Sequence, residues 1–145
     1  SANEPVEVEL KISDDLHKWG AVGRVHEVLL RFRILNNVET DIIEIKLNGK
    51  LLPAHLLRKI NQLYTMDGPR YRVMGGYWYI FKLDPEHWPV KGNNLIQVEL
   101  LCRDADIAEP FCTLRDVELE TKYLKGKNFH RAYVDPDLGY YDHRV

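Results

Sequence analysis

The chain has 145 residues, of which 20 are Lys or Arg and 22 are Asp or Glu, so its formal net charge is −2. This length predicts one domain with a hydrophobic core of its own, and a composition of 45% hydrophobic and 29% charged residues excludes a wholly disordered chain. The near-neutral charge without a basic stripe argues against nucleic acid as a partner, and no apolar run approaches the roughly 20 residues that a membrane-spanning helix needs.

In the first half of the chain, apolar residues alternate with polar ones, which is the pattern of a half-buried β-strand. Residues 1–5 are typical of the start of a domain excised from a longer protein, and no signal-peptide core follows them. Asn48 and Gly49 predict a type I′ hairpin turn, because both central residues of that turn need a positive φ. Apolar residues between Leu56 and Leu63 recur at helical spacing, so one short helix is expected over 54–63. The strands predicted in this half cover residues 6–12, 25–35, 42–47 and 50–53.

Strands dominate the second half as well, and they are predicted over 71–73, 77–83, 95–102 and 115–123. After residue 125 the alternation ends, and we expect residues 125–145 to form a tail that is disordered alone or docked on a partner. The side chains assigned to the core face of two of these strands are Tyr77, Tyr79, Phe81, Leu83, Ile96, Val98, Leu100 and Cys102.

Strands that are apolar on one face bury that face most simply when two sheets pack against each other. The sequence therefore predicts an all-β domain over residues 1–124, an antiparallel β-sandwich of jelly-roll type with seven to nine strands. The segment 54–63 would be its one short helical insert.

The usual signatures of enzymes are missing from the sequence. Ser1 and Ser13 are the only serines, neither lies in a Gly-x-Ser-x-Gly elbow, and no metal-binding histidine motif or phosphate-binding glycine loop occurs. Cys102 and Cys112 are too few for a four-cysteine zinc site. We expect two buried thiols that are not bonded, with a disulfide as the open alternative, so the cellular compartment is not indicated.

Three segments in order carry a resemblance to a known class: Leu-Asn-Gly-Lys-Leu-Leu-Pro at 47–53, Gly-Tyr-Trp-Tyr-Ile-Phe-Lys-Leu at 76–83 and Gly-Asn-Asn-Leu-Ile-Gln-Val at 92–98. This order resembles the galactose-binding-domain-like jelly-roll sandwiches, which include the sugar-binding domain of family 2 glycoside hydrolases and modules appended to TIM-barrel glycosidases. The segment 114–123 resembles the last strand of such C-terminal modules, whereas the insert 54–70 departs from the simplest members.

The resemblance implies a non-catalytic accessory module of a larger, carbohydrate-active protein, which either binds carbohydrate or packs against a neighbouring catalytic domain. Two alternatives stay open, a free-standing carbohydrate-binding module and a protein-interaction or adhesion domain that docks through its tyrosine-rich tail. Strand-borne carboxylates are expected to face solvent beside core residues, which disfavours catalysis by a carboxylate pair.

Carbohydrate recognition needs flat aromatic faces for sugar C–H groups beside donors and acceptors for the hydroxyls. Trp19 lies in a glycine-flanked loop, Trp78 shares the outer face of its strand with Ile80 and Lys82, and Trp88 is best interpreted as a loop residue packed on the end of the sandwich. The candidate contact residues are Trp19, Tyr64, Tyr71, Arg72, Trp78 and Trp88, with Asp14, Asp15 and Arg70 as polar neighbours.

Acidic loop residues offer the oxygen ligands that Ca²⁺ prefers. Asp104, Asp106 and Glu109, or else Asp14 with Asp15, are the weak candidates for a structural calcium site. No other cofactor is expected from the sequence.

Overall fold

A computed structural model describes residues 5–37, 40–65, 73–103, 112–125, 128–134 and 143–144. The described chain contains ten strands, one α-helix, and two 3₁₀ turns at Ala54–Leu56 and Pro85–His87. In chain order the elements are β1 (Val6–Ile12), α1 (Leu16–Ala21), β2 (Val25–Leu35), β3 (Ile42–Leu47), β4 (Lys50–Leu51), β5 (Leu57–Thr65), β6 (Val73–Leu83), β7 (Gly92–Cys102), β8 (Thr113–Lys125), β9 (Asn128–Val134) and β10 (His143–Arg144).

The strands form two antiparallel sheets. The smaller sheet has the order β1-β7-β3-β4, and the larger has the order β10-β8-β2-β6-β5 with β9 also paired to β8. Buried apolar side chains from both sheets share one core, which removes them from water. The expected all-β sandwich is therefore confirmed. Its core includes Val8, Leu10, Ile45, Ile96 and Val98 from the smaller sheet and Val28, Leu30, Phe32, Ile34, Phe81 and Leu119 from the larger.

The chain passes from one sheet to the other between β1 and β2, β2 and β3, β4 and β5, β6 and β7, and β7 and β8. Only β3–β4, β5–β6 and the strands after β7 stay within one sheet. This back-and-forth winding is that of a jelly roll. It brings the start of β2, the end of β6 and the end of β8 to one end of the sandwich, which we call the α1 end.

The expected helix over 54–63 is wrong. Residues Ala54–Leu56 form a single 3₁₀ turn, and Leu57–Thr65 is strand β5, in which Ile60 lies opposite Trp78 of β6. Pairing with an adjacent strand overrides an apolar spacing that suits a helix equally well.

The one α-helix of the described chain lies instead in the predicted loop between the first two strands. Asp15 caps α1, since its Oδ1 accepts a hydrogen bond from the backbone N–H of Lys18 at 3.2 Å. Leu16 anchors the helix to the core, where it is fully buried.

Irregular strand pairing accounts for two exposed side chains, one of which, Cys102, was expected in the core. His26 is exposed because the register of β2 against β8 shifts between Val25 and Glu27. Cys102 is exposed because the pairing of β3 with β7 shifts between Ile42 and Ile43, which gives β7 an extra residue there. Cys112 is buried and neither cysteine is bonded, so the expectation of two buried thiols was wrong for Cys102 only.

Strand β8 lies between two neighbours along its C-terminal half. It pairs with β2 on one side and with β9 on the other, from Leu119 opposite Val134 to Lys125 opposite Asn128. Glu120 is therefore inside a sheet and only 1% exposed, so the expectation that it faces solvent was wrong. The domain boundary at residue 125 stays a prediction.

None of the described helices has the length and apolar character to cross a lipid bilayer.

Candidate functional site

The outer face of the larger sheet carries a row of ion pairs. Arg31 Nε lies 2.6 Å from Glu118 Oε1, and its Nη1 lies 3.4 Å from Glu120 Oε1. Lys122 Nζ lies 2.8 Å from Glu27 Oε2 and 3.9 Å from Glu120 Oε1. The hydrogen bond from Lys122 holds the pKa of Glu27 below its usual value, against the opposite effect of burial. Glu27, Glu118 and Glu120 are thus each paired with a cation on this face.

Trp78 lies on the same outer face, between Ile60 of β5 and Arg33 of β2. The guanidinium carbon of Arg33 is 5.5 Å from the centroid of the indole, within the range of a cation–π contact. Arg33 also contacts a carboxylate, since its Nε lies 3.2 Å from Asp116 Oδ2. Trp78 and Ile80 are half-buried. The cation beside this tryptophan is thus already neutralised.

Trp19 lies on α1 at the α1 end of the sandwich and is 39% exposed. Lys18 Nζ is 5.8 Å and Arg24 Cζ is 5.9 Å from the centroid of its ring. The backbone N–H of Arg24 donates to the Trp19 carbonyl at 2.9 Å, which holds the two residues together after the helix ends. Neither Lys18 nor Arg24 forms an ion pair in the part of the chain that the structure describes. The ring therefore has two cations over it that form no ion pair with a carboxylate of residues 5–37, 40–65, 73–103, 112–125, 128–134 or 143–144.

The two carboxylates that precede α1 are engaged by the fold. Asp14 Oδ2 accepts a hydrogen bond of 2.5 Å from the Tyr123 hydroxyl, while Asp15 caps the helix. Burial, and then the bond to Asp14, raises the pKa of Tyr123, so its proton stays on the phenol oxygen. Both carboxylates hold the start of α1, the helix that carries Trp19.

Trp88 packs on the α1 end as expected from the sequence. Its Nε1 donates to the Leu83 carbonyl at 3.0 Å, and its ring centroid is 5.6 Å from that of His17. Trp88 is partly buried against the core, and α1 approaches it through Gly20. These contacts account for Trp88 as a packing residue.

The turn after β6 brings together three side chains that the sequence analysis did not single out. One donor atom each from Asp84, Glu86 and His87 lies within 4.8 Å of the others, a set of nitrogen and oxygen donors of the kind that a divalent cation such as Zn²⁺ accepts. His87 Nδ1 is hydrogen-bonded to Asp84 Oδ1, and this bond lowers the pKa of Asp84. The sequence signal was the short run Asp-Pro-Glu-His.

A buried polar cluster lies where β2 and β7 end and β3 and β8 begin, and the sequence did not predict it. Arg103 Nη1 is 2.7 Å from Asp41 Oδ2, from the Asn36 carbonyl and from Cys112 Sγ. Asn37 Nδ2 donates to the same Asp41 oxygen at 3.1 Å. Burial raises the pKa of Cys112 to about 11 although Arg103 acts in the opposite direction. The thiol is therefore protonated near neutral pH and is a poor nucleophile.

The remaining candidates lie away from these surfaces or outside the described residues. Tyr64 is in β5, opposite Met74. Trp19 and Trp78 belong to separate surfaces, because their neighbours Arg24 and Arg33 are separated by nearly the whole of β2, roughly 30 Å of extended chain. The predicted site residues outside the described part of the chain are Arg70, Tyr71, Arg72, Asp104, Asp106 and Glu109.

The chain matches no protein-family model, no curated protein and no solved structure. The likeness to galactose-binding-like modules therefore remains a resemblance carried by residues 47–53, 76–83 and 92–98. Of what that resemblance implies, the all-β sandwich is the part that the structure supports.

Proposed function

We propose that this chain is a non-catalytic accessory module of a larger, carbohydrate-active protein and that it binds carbohydrate at Trp19. The observation that supports the proposal is an indole that is 39% exposed and has Lys18 and Arg24 beside it. A flat aromatic face suits the C–H groups of a sugar ring, and the two cations over it supply hydrogen-bond donors for the hydroxyl groups.

Trp19 is a better platform than Trp78 for two reasons. Trp78 is half-buried in a sheet, with neighbours on both adjacent strands, whereas Trp19 projects from a short helix at the end of the sandwich. Arg33, the cation beside Trp78, already binds Asp116, so fewer of its donors are available to a ligand.

The electrostatics of the larger sheet support a non-catalytic role. Glycoside hydrolysis needs one carboxyl group with a raised pKa to act as the general acid. Glu118 and Glu120 lie against Arg31, and the pKa of Glu27 is lowered rather than raised. A lowered pKa favours the ionised form of Glu27, which is the wrong protonation state for that task.

The proposal is tested by screening the full chain on an immobilised panel of neutral and acidic glycans. Trp19→Ala is expected to abolish binding, and Trp78→Ala, which removes an indole from the other surface, is the matched control and should retain it. Thermal melting of each variant establishes that it is folded. A blank panel with folded protein contradicts the proposal, and loss of binding in Trp78→Ala alone moves the site to the larger sheet.

A second candidate, docking on a neighbouring catalytic domain, is favoured by apolar residues close to Trp19. Val22 follows α1 and is 65% exposed, and Leu124, whose N–H donates to the Arg24 carbonyl at 2.7 Å, is also exposed. Exposed apolar groups close together are typical of a protein interface. If the surface docks on a domain, Val22→Asp should make the junction in the parent protein more sensitive to protease, and glycan binding should be absent.

A further inference from the structure

We infer that the Trp19 surface selects carbohydrates that carry carboxylate groups, that is, uronic acid residues. The inference rests on the proposed function and specifies the class of sugar. It is carried by the charge at Trp19, where two cations lie over one exposed ring and form no ion pair within the described residues.

The cation–π contacts of Lys18 and Arg24 are weaker than the interactions that these groups form with a carboxylate. A cation near an exposed aromatic ring is held only weakly, whereas a hydrogen bond from an ammonium or guanidinium group to a carboxylate is charge-assisted and shorter. Within the described residues Lys18 and Arg24 make no such bond. A ligand carboxylate would supply the missing partner.

The distances suit a sugar that stacks on the ring. Lys18 Nζ lies over the Trp19 ring at 5.8 Å from its centroid and Arg24 Cζ lies over it at 5.9 Å, so the exocyclic groups of a pyranose bound at the indole would come within reach of both cations. A uronic acid differs from its neutral parent sugar at one such group, since a carboxylate replaces the hydroxymethyl group. The cations can therefore discriminate between two sugars that the ring itself binds alike.

The two carboxylates closest in sequence hydrogen-bond to neutral groups and not to the charged groups of Lys18 and Arg24. Asp14 accepts the hydrogen bond of Tyr123, and Asp15 is bound to the first turn of α1. At Trp78, in contrast, the cation beside the ring, Arg33, contacts the carboxylate of Asp116.

The test measures affinity of the full chain for three uronate polysaccharides, polygalacturonate, alginate and hyaluronan, each beside its carboxyl-reduced form. We expect at least tenfold tighter binding to one acidic polymer than to its reduced form, with the preference shrinking as the NaCl concentration rises from 50 to 500 mM. Lys18→Gln and Arg24→Gln should each lower the preference several-fold without changing the affinity for the reduced polymer. Trp19→Ala should abolish binding to both forms, and Lys11→Gln, an exposed lysine on β1, is the matched control.

The outcomes separate this inference from the proposed function. Equal binding to an acidic polymer and its reduced form, or binding to neutral glycans alone, overturns the inference and leaves the proposed function standing. A sulfated galactan, which carries no carboxylate, is measured as a further probe. If the chain binds this polymer and none of the three uronate polysaccharides, the assignment to carboxylates is overturned. Folded protein that binds no member of either panel overturns both.

Discussion

Gly20 and Trp88 are in such close contact that a Cβ atom on residue 20 would lie 2.5 Å from Cζ3 and 2.9 Å from Cη2 of the indole. Two contacts hold the ring in place, the hydrogen bond from its Nε1 to the Leu83 carbonyl and its packing against His17. A side chain at residue 20 would therefore force the indole or the helix that carries Trp19 to shift.

Replacing Gly20 with alanine is expected to lower the free energy of unfolding by about 1–3 kcal/mol, the usual cost of inserting a methyl group into a packed contact. Helix propensity alone predicts the opposite, a gain in the free energy of unfolding of up to about 1 kcal/mol. The sign of the change therefore distinguishes the effect of the contact with Trp88 from that of helix propensity. Urea unfolding measures it. In a Trp88→Leu background, where the indole is gone, the same substitution should lose most of its cost, and a stabilised Gly20→Ala protein would contradict the contact.

Arg103 is the cation of the buried cluster, and its removal leaves the fully buried Asp41 carboxylate without a countercharge. We expect Arg103→Met to lower the free energy of unfolding by about 3–5 kcal/mol, because an uncompensated buried charge is costly. Adding Asp41→Asn should recover part of that loss. Arg58→Met, at an exposed position in β5, is the matched control and should change stability by less than about 0.5 kcal/mol.

The two cysteines should differ sharply in reactivity. Cys102 is exposed, whereas Cys112 is buried with a pKa of about 11, so at pH 8 only about one molecule in a thousand holds its thiolate. Ellman's reagent should therefore label one thiol per folded chain within minutes and the second only after denaturant is added. Cys102→Ser should remove the fast reaction, and two fast thiols in the native protein would show that the cluster around Cys112 opens readily.

Period-two alternation was enough to predict the sandwich, because strands such as β2 and β7 place nearly every apolar residue on one face. The alternation did not predict the structure correctly where pairing with another strand determines the secondary structure or the face of a side chain. Ile60 belongs to a segment whose spacing suits a helix, yet its pairing with Trp78 makes it part of β5. The exposure of Cys102 depends on a bulge, and bulges follow from the register between two strands rather than from either sequence alone.

The sequence pointed to the aromatic residues of the candidate site, but it did not predict which side chains surround them. Trp19 was singled out from its loop, whereas the placement of Lys18 and Arg24 around its ring depends on a helix that the sequence analysis did not predict. Asp41 and Arg103 are far apart in sequence and come into contact only when both sheets have formed, so no local sequence pattern predicts their contact.

The ion pair of Glu27 and Lys122 makes a prediction about acid stability. The pKa of Glu27 is lowered from its usual 4.5 in the folded chain, so folding is favoured when this carboxyl group is ionised. Its contribution to stability is complete above about pH 4.5 and is lost as the pH falls through the lowered folded-state pKa. Glu27→Gln, which cannot ionise, should give a shallower decline of the unfolding free energy between pH 5 and pH 3.

Urea unfolding at several pH values in that range measures the slope. Part of the decline should survive in Glu27→Gln, because the pKa of Asp84 is lowered as well, by its hydrogen bond with His87. Glu9→Gln, at an exposed position on β1, is the matched control and should reproduce the slope of the unchanged protein. If Glu27→Gln and the unchanged protein lose stability in parallel, Lys122 is not holding the carboxylate in its ionised form.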